Sequence, residues 1–320
     1  MAPVRSPRAP ALGSLRVVEI RQGWPNLFLV GAAKAGTTTL YDELSQHPAI
    51  YMSPMKEPHY FSRIEPASDW EDFFPHVSDE DDYLALFEGA TNEELVGEAS
   101  TSYLWDSQAA ERIKHAVPEA KILIMLRDPV DRAYSHYWND LREGLEKRSF
   151  LEALTEEQQR PGRGGWGVTS LYVDCGRYAD QVARYLDGFG VAVCVSFLEN
   201  LVADRSSAMA RIYSFLGVEP ASAAAAPRRM NSVTLPRNRL SRALLANGRV
   251  RRLARATVSR GARSRLREAL LKEASPPPME PEARSLLTEI HRPDVARLTE
   301  LLGKPPSWEA LAASGSALRG

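Results

Sequence analysis

Cysteine is nearly absent from this 320-residue chain, which carries only Cys175 and Cys194. Two cysteines make no disulfide framework, and their spacing suits no metal site. Cys194 falls inside an apolar run and reads as a small buried hydrophobe. Long apolar runs are missing too: no stretch of about eighteen apolar residues is present to span a bilayer. The opening residues, interrupted by Arg and Pro, lack the apolar core of a secretion signal. No charge sign dominates either. Forty Lys and Arg meet 41 Asp and Glu, a net charge of −1, which argues against a globally basic nucleic-acid binder. No internal repeat is visible, so repeat architectures are set aside.

What is present suits one elaborated globular domain. With 44% hydrophobic and 25% charged residues, a chain of this length can bury a substantial core. Residues 1–21 read as a loose tail, because Pro and Arg break any apolar period. From Trp24 to Val218, strand-like and helix-like segments alternate. That alternation predicts an α/β fold, a three-layer sandwich with a central parallel sheet and helices on both faces. Strands are expected at Leu27–Val30, ending at Val96, from Ile122, and from Val191. Ala221 to Pro227 is a low-complexity linker. Arg239 to Lys272 is expected to be helical and is rich in arginine, Pro276-Pro277-Pro278 breaks it, and Glu280 to Leu302 forms a final helix closed by Gly303. The domain is thus placed at 22–320, with an Arg-rich helical region from about 236.

The chemistry begins at Gly31-Ala32-Ala33-Lys34-Ala35-Gly36-Thr37-Thr38, directly after Leu27-Phe28-Leu29-Val30. Two glycines at this spacing, between an apolar strand and a helix, fit a phosphate-binding loop. In nucleotide hydrolases the residue after the second glycine is lysine, whose place Thr37 takes here. Lys34 has moved into the loop, beside whatever the backbone N–H groups and helix N-terminus hold. Such a cradle suits a 5′-phosphate with one more anionic group attached.

A second segment, Lys121-Ile122-Leu123-Ile124-Met125-Leu126-Arg127-Asp128-Pro129, reads as a buried strand closed by proline, with a helix from Val130 through Ser135 to Tyr137. Arg127 at the strand end presents a planar fork that matches phosphate. A third, Lys56-Glu57-Pro58-His59-Tyr60-Phe61, sets a carboxylate beside a histidine and two aromatics.

Together these three segments resemble the PAPS-dependent sulfotransferases, which move a sulfuryl group from 3′-phosphoadenosine 5′-phosphosulfate (PAPS), and among them the glycan and heparan sulfate O-sulfotransferases. The Ala- and Arg-rich composition suits a bacterial member. The resemblance covers roughly residues 27–218 and includes Gly176 to Phe189, Val191 to Phe197 and Phe215-Leu216-Gly217-Val218. It implies that Lys34, Ala35, Gly36, Thr37 and Thr38 hold the 5′-phosphosulfate and that Arg127 and Ser135 hold the 3′-phosphate. It also implies that Glu57 is the general base, assisted by His59. A carboxylate within hydrogen-bond reach can take the proton that the acceptor hydroxyl must lose. PAPS is then a co-substrate, 3′,5′-adenosine bisphosphate (PAP) the product, and no metal is required.

Departures bear on the acceptor. Ala99 stands where the glycan enzymes carry a lysine, Ser62 where they carry an aspartate, and Glu98 becomes a second candidate base. Their late basic clamp has only Arg237 as a local substitute. The acceptor is expected to be a glycan, a glycolipid or a secondary-metabolite hydroxyl. Golgi relatives carry membrane anchors, so a chain lacking an apolar span is expected to be soluble and cytoplasmic, with peripheral membrane contact through the Arg-rich segment left open. A kinase or nucleotide hydrolase, with Asp128 as a weak magnesium ligand, and a non-enzymatic nucleotide-binding module stay open as alternatives.

Overall fold

The computed structural model describes residues 23–63, 76–143, 145–160, 170–220, 233–237, 269–274 and 276–303, together with positions 241, 257, 262, 266, 306, 308 and 311. The expected tail at 1–21 and linker at 221–227 lie outside the described residues.

In chain order, β1 (Leu27–Gly31) feeds α1 (Thr37–Ser45), and β2 (Ile50–Met52) precedes α2 (Glu80–Leu84). Next come β3 (Leu95–Ala99), α3 (Ser102–Trp105), α4 (Ala109–Ala116), β4 (Lys121–Leu126) and α5 (Pro129–Glu143). They are followed by α6 (Phe150–Gln159), α7 (Tyr178–Phe189), β5 (Val193–Phe197), α8 (Leu198–Ala203) and α9 (Arg205–Leu216). A short ribbon of β6 (Val233–Pro236) and β7 (Leu271–Ala274) then leads to α10 (Pro281–Leu302).

The five main strands form one parallel sheet in the order β2-β3-β1-β4-β5, flanked by helices in three layers. β1 and β4 lie inside it, which explains their unbroken apolar runs: a strand buried on both faces has no polar side to present. Local signals place the helix ends. Pro129 opens α5, where its missing N–H costs nothing, while the Asp128 carboxylate accepts from the N–H groups of Val130 and Asp131 at 2.8 and 3.4 Å. Gly217, at φ 79°, closes α9 in the left-handed conformation.

Three boundaries differ from expectation. β2 is a fifth strand, too short at three residues to show a period. The second strand runs past Val96 to Ala99, because its pairing with β1 continues to Leu29. The last begins at Val193 rather than Val191, after a 3-10 turn over Gly190–Ala192 that leaves Val191 fully in solvent. In the C-terminal region, Val233–Pro236 pairs antiparallel with Leu271–Ala274, where a loop and the end of a helix were expected. Positions 241, 257, 262, 266, 269 and 270 are helical, and the rest of 238–268 lies outside the described residues. Among the described residues no helix is long and apolar enough to cross a membrane.

Candidate active site

The loop after β1 is shaped by close packing. An added Cβ at Gly31 would lie 2.7 Å from Leu104 Cβ, and one at Gly36 would lie 2.6 Å from Leu198 Cδ1. Gly36 also sits at φ 85°, where side chains are disfavoured. It is the N-cap of α1, and no side chain caps that helix or adds an acid to its first turn. The first-turn N–H groups, with Thr37 and Thr38 at the helix start, are therefore left for an anion. Lys34, itself at φ 67°, turns its side chain toward α5, where Nζ donates to Asn139 Oδ1 at 3.2 Å. Burial, reinforced by the positive charges of Arg142 and Arg127 against the opposing pull of Asp140 and Glu143, lowers its pKa to about 8.

Arg127 meets the same loop. Its guanidinium donates to the Lys34 carbonyl at 3.2 Å, so the loop after β1 and the end of β4 are tied directly. The backbone under Arg127 is held from behind by Tyr178, whose hydroxyl donates to the Arg127 carbonyl at 3.0 Å. Next to it, the Asp128 N–H donates to Glu199 Oε1 at 2.9 Å, and Glu199 Oε2 accepts from the indole of Trp308 at 3.1 Å. Ser135 is half-buried on α5, four residues before Asn139 and hence on the same helix face.

Glu57 comes from the turn between β2 and α2, which docks on the end of β3. Glu57 and His59 both adopt positive φ, 63° and 57°, costing roughly 1–3 kcal/mol each. The turn is over-determined: the Glu57 N–H donates to the Ala99 carbonyl at 2.8 Å, and the His59 N–H donates to Ser100 Oγ at 3.0 Å. An aromatic cluster of Trp24, Tyr60, Phe61, Tyr83 and Tyr103 clamps it from below, with Tyr60 stacked on Tyr83 at 4.1 Å.

The Glu57 carboxylate accepts from Lys56 Nζ at 2.6 Å and from the Thr101 N–H at 2.7 Å, with the Thr101 hydroxyl at 3.1 Å. Burial alone would raise its pKa, but Lys56, His59 and the Thr101 N–H outweigh it and hold the carboxyl below the usual glutamate value. Its side chain remains 23% exposed, so a ligand can reach it. His59 lies behind it. The imidazole is buried, with Nδ1 2.7 Å from Ser102 Oγ and Nε2 3.7 Å from Glu57 Oε2, and burial lowers its pKa despite the pull of Glu57. Thr101 joins the two halves of the site: it grips Glu57, and its carbonyl lies 3.2 Å from where a Cβ on Gly31 would sit.

The second candidate base does not reach the site. Glu98 is fully buried, and its carboxyl accepts from the hydroxyls of Tyr103, Ser100 and Tyr83 at 2.6, 2.7 and 2.8 Å. Burial pushes its pKa up to about 7. It anchors the aromatic clamp instead. Ser62 likewise turns inward, onto Ser102 Oγ at 2.6 Å. Arg237 follows β6, which lies against α5; its side chain is exposed and its N–H donates to the Leu270 carbonyl at 3.0 Å. Asp128 spends its carboxylate on the α5 N-terminus. Sequence reasoning did not single out Lys56, Thr101, Asn139 and Arg142. Asn139 was within reach of it, being one helical turn beyond Ser135.

Comparison with known proteins accords with this geometry. The family model described as "Sulfotransferase family" matches residues 25–222. Carbohydrate sulfotransferase 15 of Rattus norvegicus is 33% identical over 175 residues, covering 42% of this chain and 30% of that protein. Heparan sulfate glucosamine 3-O-sulfotransferase 6 of Mus musculus is 28% identical over 232 residues, covering 68% of this chain and 62% of that protein. The chain thus spans less than a third of the first relative's length and less than two thirds of the second's. The crystal structure of a sulfotransferase from Alicyclobacillus acidocaldarius superimposes with a TM-score of 0.68 at 35% identity, covering 89% of this chain and 98% of that one. The family match takes in β1 through α9, and with them the loop after β1, the Glu57 turn and the Arg127 strand end. On that extent of agreement, this chain belongs to the sulfotransferase family.

Proposed function

We propose that this protein transfers the sulfuryl group of PAPS to a hydroxyl of a carbohydrate-type acceptor, with Glu57 as general base. The observation that carries the reading is the joining of two halves through Thr101: a carboxylate kept charged and partly exposed on one side, and an uncapped helix N-terminus flanked by Lys34 and Arg127 on the other. The residues fit the donor's chemistry. The α1 N-terminus, Thr37, Thr38 and Lys34 suit the 5′-phosphosulfate, and Arg127 with Ser135 suits a 3′-phosphate.

In this scheme Glu57 accepts the acceptor's hydroxyl proton as its oxygen bonds to sulfur and the bond from sulfur to the bridging oxygen breaks. The products are a sulfate ester and PAP, and the proton leaves Glu57 to solvent. Lys34 and the loop N–H groups stabilise the charge growing on the departing phosphate. Lys56 and Thr101 hold the carboxylate toward the acceptor, and His59 braces it from behind. A glycan acceptor is supported by the names of the relatives, which are carbohydrate and heparan sulfate sulfotransferases. The kinase alternative loses support because Asp128, its candidate metal ligand, caps a helix.

Calorimetric titration with PAP, AMP and ATP tests the donor. Expected is PAP binding that requires the 3′-phosphate and weakens at least about tenfold in Arg127→Ala, as loss of a bidentate charged contact should. Preference for ATP, or no discrimination, refutes it.

A further inference from the structure

Two cations converge on one uncharged oxygen beside the phosphate loop. Asn139 Oδ1 accepts from Lys34 Nζ at 3.2 Å and from the Arg142 guanidinium at 2.8 Å. An amide oxygen carries only a partial negative charge, so it cannot balance two full positive ones. Arg142 is the strongest of the charges that make Lys34's ammonium less favourable.

The groups facing Lys34 are Arg142, Asp140, Glu143 and His136 from α5, the histidine held well below its usual pKa by burial and by the charges of Arg132 and Lys34, and Arg127 from the end of β4. Glu143 is committed to Arg142, 2.9 Å away, and so offsets one charge. Asp140 is engaged by the Ser170 N–H and the Tyr172 hydroxyl at 3.2 and 3.1 Å, and burial pushes its pKa up to about 7. Three cations face two carboxylates, Glu143 held by Arg142 and Asp140 turned to the Ser170 N–H and the Tyr172 hydroxyl, so the pocket keeps a net positive charge and only a weak neutral acceptor fills its centre. Ser135, Asn139 and Arg142 follow one another at helical spacings of four and three, so they line one face of α5 along the loop. Ser135 is assigned to the 3′-phosphate end of that face, which leaves Asn139 and Arg142 to the end where Lys34 sits.

We propose that Asn139 and Arg142 complete a sulfuryl clamp: Arg142 contacts the sulfuryl oxygens of the donor directly, and Asn139 is a positioning residue that aims Lys34 and Arg142 at the same anion. The clamp recognises PAPS over PAP, because PAP lacks the group it holds. This inference rests on PAPS being the donor.

The test pairs nucleotide binding with a pH profile, both on the full chain. Calorimetry in the absence of acceptor is run with PAPS and with PAP on wild type, Arg142→Gln and Arg142→Lys. Arg142→Gln is expected to lose about tenfold in PAPS affinity while PAP affinity stays within about twofold, with partial rescue in Arg142→Lys. Retained PAP binding also certifies the fold. Sulfuryl transfer requires Lys34 protonated, so wild-type kcat/KM for PAPS, which reports the free enzyme, should fall as pH rises through about 8. Asn139→Asp sets a carboxylate against the ammonium, raises its pKa and moves that fall to higher pH, whereas Asn139→Leu does not move it upward. Equal losses for PAP and PAPS in Arg142→Gln, or an unmoved limb in Asn139→Asp, overturns the clamp and leaves the donor assignment standing. A wild type that binds neither nucleotide overturns the donor assignment and the clamp together.

Discussion

Glu57→Gln separates catalysis from binding more sharply than any other single change here. The substitution keeps the shape and one carbonyl oxygen, so the Thr101 N–H retains its acceptor. What is lost is the charge that Lys56 pairs with and the site that receives the proton. Both partners are about a fifth exposed, so the ion pair is partly screened and its loss should cost roughly 1 kcal/mol of stability. The fold should therefore persist. The catalytic cost is larger: a positioned general base contributes about 100- to 10,000-fold, or roughly 3–5 kcal/mol of barrier. Single-turnover transfer from labelled PAPS, with PAP affinity measured in parallel, is the assay. The expected result is that loss in rate with PAP affinity unchanged to within about threefold. The wild-type pH profile gives a second readout. Transfer needs the carboxylate, which exists above its pKa and is lost as pH falls through it, so the acidic limb should lie below the ordinary glutamate value. A variant retaining more than about a tenth of the rate would refute Glu57 as base. An acidic limb near pH 7 in the wild type would do the same.

Other consequences are open to measurement. Gly36→Ala should cost about 1–2 kcal/mol by urea unfolding and weaken PAP binding, because the new Cβ meets Leu198 at 2.6 Å in a left-handed backbone; an unchanged midpoint would contradict the packing. Glu98 is held at a folded pKa of about 7, above its unfolded value, so the native state binds the extra proton between about pH 4.5 and 7 and stability falls as pH rises through that window. Glu98→Gln should flatten this slope in thermal melts compared at pH 5 and pH 8, and a slope as steep as wild type would refute the buried carboxyl's role. Asp294 accepts from the N–H groups of Tyr178 and Ala179 at the start of α7, at 2.7 and 3.2 Å. Asp294→Ala should lower stability by about 1–2 kcal/mol. Because Tyr178 also holds the Arg127 carbonyl, PAP affinity should fall with it, and calorimetry checks this.

Much of this protein was legible in its residues. Apolar strands closed by glycine or proline, the Asp128-Pro129 helix start and the Gly217 helix stop are local signals, and each acted where it stands. The glycine loop after β1 and the Arg127 strand end are short-range patterns too, since a strand, a turn and a helix N-terminus are neighbours in sequence. β2 and the β6–β7 ribbon were not legible, because strands of three or four residues draw their stability from partners elsewhere in the chain. The resemblance put Glu57 ahead of Glu98, but the difference in their burial lay beyond the sequence. Packing seals Glu98 under three hydroxyls and leaves Glu57 partly open beside Lys56 and Thr101. Helical spacing from Ser135 hints at Asn139, but Arg142 carries no motif and acquires meaning only when α5 crosses the loop that presents Lys34. Local chemistry was written in the sequence by itself, whereas burial and charge proximity, which decide what each group does, are properties of distant segments brought together by the fold.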